Sequence, residues 1–119
     1  MAVRSDYHMH SWHSGDGNTP VTQMACQALR AGMEQICFTE HQDFDYPQIP
    51  DMPPEPFLLD TGAYFQDLRR CRKQYEDRIR ICFGVELGLQ PHLAERHRQY
   101  VRSYAFDFVI ASSHICHGR

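Results

Sequence analysis

The sequence lacks the features of membrane and disulfide-rich proteins. No apolar run approaches the roughly 20 residues that a membrane-spanning helix needs, and the N-terminal MAVRSDYHMH lacks the apolar stretch of a secretory signal peptide. The five cysteines are an odd number and contain no Cys-x-x-Cys pair, which argues against both a disulfide framework and a cysteine-based zinc site. We therefore expect a cytoplasmic chain that spans no membrane and whose cysteines are reduced.

Positive charge is also scarce. Twelve Lys and Arg residues stand against fifteen Asp and Glu residues, and no stripe of basic residues offers the clustered charge that nucleic acid requires. The basic group at residues 69–73 is interpreted as the solvated face of a helix. The chain also has no glycine-rich phosphate loop and no dinucleotide fingerprint. These absences argue against nucleic acid as a partner and leave nucleotide-driven transfer and hydride chemistry without support.

The length of 119 residues indicates one domain with a substantial core. It falls well short of the roughly 200 to 250 residues that a closed α/β barrel usually needs. Apolar patterning and turn residues predict strands over residues 4–10, 34–39, 79–85 and 108–111, separated by helices that begin near Thr19, Thr61 and Pro91. Residues 42–57 hold five of the seven prolines and are predicted to form a long surface loop. The resulting βαβαβαβ order implies an α/β fold with parallel strands.

Every predicted strand delivers a potential metal ligand at or just after its C-terminal end. These residues, together with an oxygen donor in the first loop, are His8, His10, Asp16, His41, Glu86 and His114. The C-terminal ends of parallel strands lie on one face, where α/β proteins build their active sites. His8 and His10 are two residues apart on a strand and therefore point to the same side. The mixture of imidazole and carboxylate predicts a site for two or three divalent ions, with Zn, Mn or Fe favoured.

The remaining histidines are interpreted without a ligand role. His92 and His97 lie on the third helix and are expected to be surface or packing residues. His13 and His117 are expected to be ordinary loop residues, with a contact to substrate or a hydrogen bond to a metal ligand as the alternative. Trp12 is expected to pack, and an aromatic wall for a substrate is its alternative. Because a cluster of divalent ions can clamp phosphate oxygens and activate water, the predicted site suits hydrolysis of a small phosphate ester.

The motifs resemble the PHP (polymerase and histidinol phosphatase) superfamily. In chain order they are DYHMHS over residues 6–11, FTEH over 38–41, GVE over 84–86 and SSH over 112–114. The segments FLLD at 57–60, GVELG at 84–88 and FDFVIASSH at 106–114 are similar to the histidinol-phosphatase type in particular. The resemblance implies a distorted (β/α)7 barrel, of which this chain would form about half as a single truncated PHP domain over residues 1–119.

The resemblance also implies a reaction and a role for each ligand. The reaction is the hydrolysis of L-histidinol phosphate to L-histidinol and phosphate in histidine biosynthesis. His8, His10 and Glu86 would hold one ion, Glu86 would bridge to a second ion that His114 binds, and Asp16 with His41 would hold a third. These six residues would act in catalysis through the bound metals.

Members of the superfamily continue beyond the fourth strand with three more strands and an Asp-x-His motif. We therefore expect residues 1–119 to be an N-terminal portion with low or no activity alone, which self-associates or pairs with a missing C-terminal half. Two alternatives stay open at this point. One is a different PHP phosphoesterase or nuclease, and the other is a non-catalytic, metal-binding, self-associating fragment.

Overall fold

The computed structural model describes residues 4–48 and 50–113 of the chain. The elements in chain order are β1 (Ser5–Met9), α1 (Val21–Arg30), β2 (Gln35–Gln42), α2 (Thr61–Tyr75), β3 (Arg80–Gly88), α3 (Ala94–Ser103) and β4 (Phe108–Ser112), with a 3₁₀ turn at Pro91–Leu93 before α3. The predicted βαβαβαβ order is confirmed. The second and third strands each run three residues beyond their predicted ends, so that His41 and Glu86 lie within strands. No helix of the described residues is long and apolar enough to cross a membrane.

All four strands are parallel and follow the order β1-β2-β3-β4. The sheet curls strongly. The ring of Tyr7 on β1 lies 5.4 Å from the ring of Phe108 on β4 although two strands separate them, a distance that a flat sheet would not allow. The curl gives the sheet a concave face and the shape of about half a (β/α) barrel, as predicted. Among the described residues, β1 and β4 each pair with one neighbour only; the predicted self-association stays a prediction.

The core lies between the convex face of the sheet and the helices. Alternate residues of the central strands, including Phe38 on β2 and Phe83 on β3, pack against α1 and α2. Tyr64 of α2 is fully buried beneath them, and its hydroxyl lies within donor distance of the carbonyls of Phe38 (3.0 Å) and Gly84 (2.7 Å). The intervening residues of the same strands face the concave side, where His41 and Glu86 pair in register. The core therefore fixes the strands whose other face carries the predicted ligands.

The loop between β2 and α2 is long, as predicted, and is attached to the segment that opens α3. The side-chain amide of Gln90 donates to the carbonyls of Phe44 and Asp45, both at 3.1 Å. The guanidinium of Arg96 lies 3.9 Å from the centroid of the Phe44 ring, a cation–π contact. The loop also packs on the first loop of the chain, because a β-carbon at Gly15 would collide with the carbonyl of Pro56. The proline-rich segment is therefore held against the rest of the fold.

His97 of α3 is a packing residue. Its ring is 6% exposed and lies 5.7 Å from the Phe44 ring, and neither ring nitrogen has a hydrogen-bond partner within the described part of the chain. Burial, reinforced by the nearby charge of Arg96, lowers the pKa of His97, although Asp43 opposes the shift. The imidazole is therefore held neutral in the folded chain near pH 7.

Replacing His97 with leucine should stabilise the chain by about 1 kcal/mol near neutral pH, because the apolar side chain removes an imidazole buried without partners. The gain should grow on acidification. Since the pKa of His97 is lower when folded than when unfolded, the unfolded chain takes up a proton first as the pH falls below about 6.5, and wild type loses stability there. Urea denaturation at pH 7.5 and pH 5.0 measures both effects. An equal advantage of His97→Leu at the two pH values would contradict this account.

Candidate metal centre

Glu86 is the centre of the first group of ligands. It lies on β3 and is only 4% exposed, while His8 and His10 reach it from β1 and the residue that follows β1. One oxygen of its carboxylate, Oε1, contacts His8 Nε2 and lies 3.1 Å from His10 Nε2. The curl of the sheet makes this possible, because β2 lies between the strands that carry these residues. The predicted grouping of His8, His10 and Glu86 is present.

A second group surrounds His41. Its Nε2 lies 3.1 Å from Oδ2 of Asp16, and its Nδ1 lies 3.5 Å from Oε2 of Glu86. The other carboxylate oxygen of Asp16, Oδ1, is 3.9 Å from Nδ1 of His10. Asp16 is therefore placed beside His41, as predicted, and also beside His10. The Glu86 carboxylate faces both groups of ligands.

The donor atoms form two triads suited to metal binding. The first triad is His8, His10 and Glu86, and the second triad is His10, Asp16 and His41; within each, the possible ligand atoms lie within 4.8 Å of one another. Imidazole nitrogens combined with carboxylate oxygens suit zinc and related divalent metals, and three protein ligands leave coordination positions open. The donor chemistry therefore fits the predicted ions. His114, the sixth predicted ligand, lies outside the described residues, as does His117.

Residues 6–119 match the PHP domain. The chain belongs to the PHP domain family. It is 38% identical over 109 residues to the histidinol-phosphatase of Lactococcus lactis, a match that covers 92% of this chain and 38% of the relative. It is 28% identical over 116 residues to the probable histidinol-phosphatase of Clostridium acetobutylicum, covering 95% of this chain and 40% of the relative. The chain thus spans about two fifths of the length of these curated relatives.

Solved structures carry the same fold. The crystal structure of histidinol phosphate phosphatase from Lactococcus lactis, complexed with Zn, L-histidinol and phosphate, matches with a TM-score of 0.88 at 35% identity, over 97% of this chain and 41% of that one. The putative histidinol phosphatase of Listeria monocytogenes matches with a TM-score of 0.76 at 18% identity, over 94% of this chain and 45% of that one. The predicted fold class, a partial PHP (β/α) barrel, is confirmed.

The first loop of this PHP domain is attached to β2 by a buried carboxylate. Glu40 is fully buried and accepts hydrogen bonds from the backbone N–H and the hydroxyl of Ser11, both at 2.5 Å. Burial raises the pKa of Glu40, and the two bonds from Ser11 oppose that rise. No role is predicted for Glu40 from the sequence, although a glutamate that directly follows a buried strand pattern is a signal for one. Through these bonds Glu40 fixes the position of Ser11, the residue that follows His10.

A second attachment lies closer to the triads. The backbone N–H of His41 donates to the hydroxyl of Ser14 at 2.9 Å, so that the loop and the metal-ligating end of β2 share a hydrogen bond. Gly17 lets the loop close on itself, because a β-carbon there would collide with the carbonyl of Ser11. The loop that carries Asp16 is therefore compact and attached to β2 at two points.

Proposed function

We propose that this PHP domain chain is the metal-binding part of a metal-dependent phosphomonoesterase of the histidinol-phosphatase type, acting on L-histidinol phosphate in histidine biosynthesis. The observation that carries the proposal is the pair of triads that share His10 and meet at Glu86. The named relatives support it, since those of Lactococcus lactis and Clostridium acetobutylicum are a histidinol-phosphatase and a probable one. The ligands of the Lactococcus lactis structure favour zinc as the metal and a small phosphate ester as the substrate.

Divalent ions held at the triads would supply the chemistry of phosphate-ester hydrolysis, namely neutralisation of phosphate charge and a lowered pKa for bound water. The chain itself supplies the arrangement of the ligands. Glu86 brings a buried negative charge to the end of β3, where three imidazoles surround it. Asp16 adds a second negative charge beside His41. His114 is proposed as a further ligand beside Glu86, in keeping with the sequence motif SSH.

We propose a role for each ligand, supported by the placement of the donor atoms. His8, His10 and Glu86 hold one ion, and Asp16 with His41 holds another. His10 can ligate either ion, because its Nε2 faces Glu86 and its Nδ1 faces Asp16. The triads lie at the C-terminal ends of the parallel strands, the end of the fold at which α/β proteins bind their substrates.

Metal content and phosphate release together test this function. The chain should take up at least two Zn²⁺ ions, and it should release phosphate from L-histidinol phosphate only when metal is bound. The release should be slow, because the chain spans about two fifths of the length of its relatives. Asp16→Asn should lose about one ion per chain. His92→Asn is the matched control, since His92 pairs with Asp45 outside both triads. Elemental analysis and a phosphate-release assay with and without a chelator provide the measurements.

Three results would contradict parts of the proposal. A chain that takes up no divalent metal would remove its basis. Cleavage of a single-stranded oligonucleotide without release of phosphate from L-histidinol phosphate would favour a different PHP phosphoesterase. Metal uptake with no hydrolysis of either substrate would favour a non-catalytic metal-binding fragment.

A further inference from the structure

A partly buried carboxylate on α2 contacts the side of the first loop that faces this helix. Oδ2 of Asp67 lies 2.7 Å from Nε2 of His13 and accepts a hydrogen bond from the indole N–H of Trp12 at 3.2 Å. The side chain of Asp67 is 14% exposed, and a guanidinium nitrogen of Arg70 lies 3.6 Å from its Oδ1. One carboxylate oxygen on a helix thus binds two consecutive residues of the loop, more than fifty positions earlier in the chain.

The same loop, residues 11–17, carries Asp16 on its inner side. Asp16 is half exposed, and the loop holds it beside His41 and His10 of the second triad. The inner attachments of the loop run to β2, through Ser11 and Ser14. The backbone N–H of His13 donates to the hydroxyl of Ser11 at 3.2 Å, which connects the inner attachments to the contact with Asp67. The loop is therefore fixed from both sides.

The contact with Asp67 bears on His13 and on Trp12, which is 53% exposed and so packs less than expected. His13 is absent from both triads of the described chain, and its Nε2 faces Asp67. Its ring lies 5.7 Å from the ring of Tyr64, which is buried under the sheet. His13 and Trp12 thus point towards α2, on the helix side of the loop. Their geometry is that of an anchor for the backbone between them and Asp16.

An anchor of this kind bears directly on metal affinity. A half-exposed carboxylate on a free loop would have to be ordered on binding, at a cost in conformational entropy. Residues that orient metal ligands without touching the metal typically change metal affinity 10- to 100-fold when replaced. Fixing the backbone of residues 11–17 before metal arrives reduces the ordering required of Asp16.

We propose that Asp67 is a positioning residue, which holds loop 11–17 through Trp12 and His13 and so keeps Asp16 in place for metal binding at the second triad. This inference rests on the proposed function, in that the triads must bind metal. It concerns the second triad through Asp16, which is the one triad ligand within loop 11–17; His8, His10 and Glu86 of the first triad lie outside that loop. Asp67→Asn should therefore affect one ion and spare the other.

The test uses Zn²⁺ titration of the full chain, with Trp12 as an internal reporter because it is the single tryptophan of the sequence. Calorimetric titration against a competing chelator gives the two affinities, and fluorescence gives the environment of the indole. In Asp67→Asn, Zn²⁺ binding at the second triad should weaken about 10-fold or more, with little change at the first. The emission of Trp12 should shift, and its quenching by acrylamide should increase.

Asp107→Asn is the matched control. The Asp107 carboxylate also accepts two hydrogen bonds, from Arg72 at 2.7 Å and from the backbone N–H of Phe83 at 2.8 Å, but it lies before β4 and touches neither triad. The Asp107→Asn substitution should lower the midpoint temperature of thermal unfolding and leave both zinc affinities unchanged. If Asp67→Asn does not fold, His13→Ala provides the same test, because it removes one of the two anchoring contacts and should weaken the second triad alone.

The outcomes separate the two proposals. Selective weakening of the second triad with a shifted Trp12 emission supports a positioning role for Asp67. Unchanged affinities, or equal weakening at both triads in step with a lower thermal midpoint, would overturn that role and leave the proposed function intact. A wild-type chain that binds no Zn²⁺ would overturn the proposed function and this inference with it.

Discussion

Replacing Glu86 with glutamine should weaken zinc binding by at least about 100-fold, because loss of a direct ligand should exceed the 10- to 100-fold effect of residues that only orient ligands. The carboxylate is buried, one oxygen faces His8 and His10, and the other lies 3.5 Å from His41. Glutamine keeps the size of the side chain and removes the negative charge. Competition titration with a chromophoric chelator measures the change in affinity.

Glu34→Gln is the control for this substitution. Glu34 is an exposed glutamate just before β2, and it pairs with Arg4 at 3.6 Å, remote from the triads. The Glu34→Gln substitution removes one negative charge, as Glu86→Gln does, without touching a proposed ligand. Zinc affinity and stoichiometry should therefore stay at wild-type values. If Glu86→Gln also kept the affinity and stoichiometry of wild type, the assignment of Glu86 as a ligand would be wrong.

The largest expected loss of stability comes from Phe83→Ala, which should lower the free energy of unfolding by about 3 to 5 kcal/mol. Phe83 is 1% exposed, and its ring centroid lies 4.6 Å from that of Phe106, 4.9 Å from that of Phe65 and 5.1 Å from that of Tyr64. Alanine would leave a cavity between β3, α2 and the segment before β4. Urea denaturation with excess chelator measures the loss without a contribution from bound metal.

Phe83→Leu provides the comparison, since leucine fills most of the space and loses mainly the aromatic contacts. It should cost clearly less than alanine while lowering stability in the same direction. A loss below about 1 kcal/mol for Phe83→Ala would show that the aromatic cluster relaxes into the space. The central role given to Phe83 in the core would then be incorrect.

Much of the architecture follows from local sequence patterns. The strand at residues 79–85 is a short apolar run between turn signals, and the helix from Thr61 alternates apolar and charged residues at helical spacing. Once the strands are parallel, their C-terminal ends must lie on one face, which is why His41 and Glu86 could be predicted to share that face. Local patterning and one topological rule account for this part of the site.

Other features depend on contacts that no local pattern records. The sharing of His10 between two triads requires both the curl of the sheet and the direction of its ring. The contact of Asp67 with His13 joins a polar helix position to a loop 54 residues away, and the sequence shows only one of several charged residues on an amphipathic helix. Burial of Glu40 likewise depends on how the first loop folds over the end of β2. These features arise from tertiary packing.

The contact between Tyr7 and Phe108 has a mechanical consequence for the metal centre. In a flat parallel sheet, β1 and β3 would lie about 10 Å apart, so that side chains from both strands would have to lean across β2 to bind one ion. The curvature shortens that span, so bending of the sheet and chelation are thermodynamically linked. An ion bound at the first triad would then link β1 to β3 across β2 and stabilise the curved form of the sheet. Substitutions on the concave face that flatten the sheet, even remote from any ligand, would therefore weaken metal binding at the first triad.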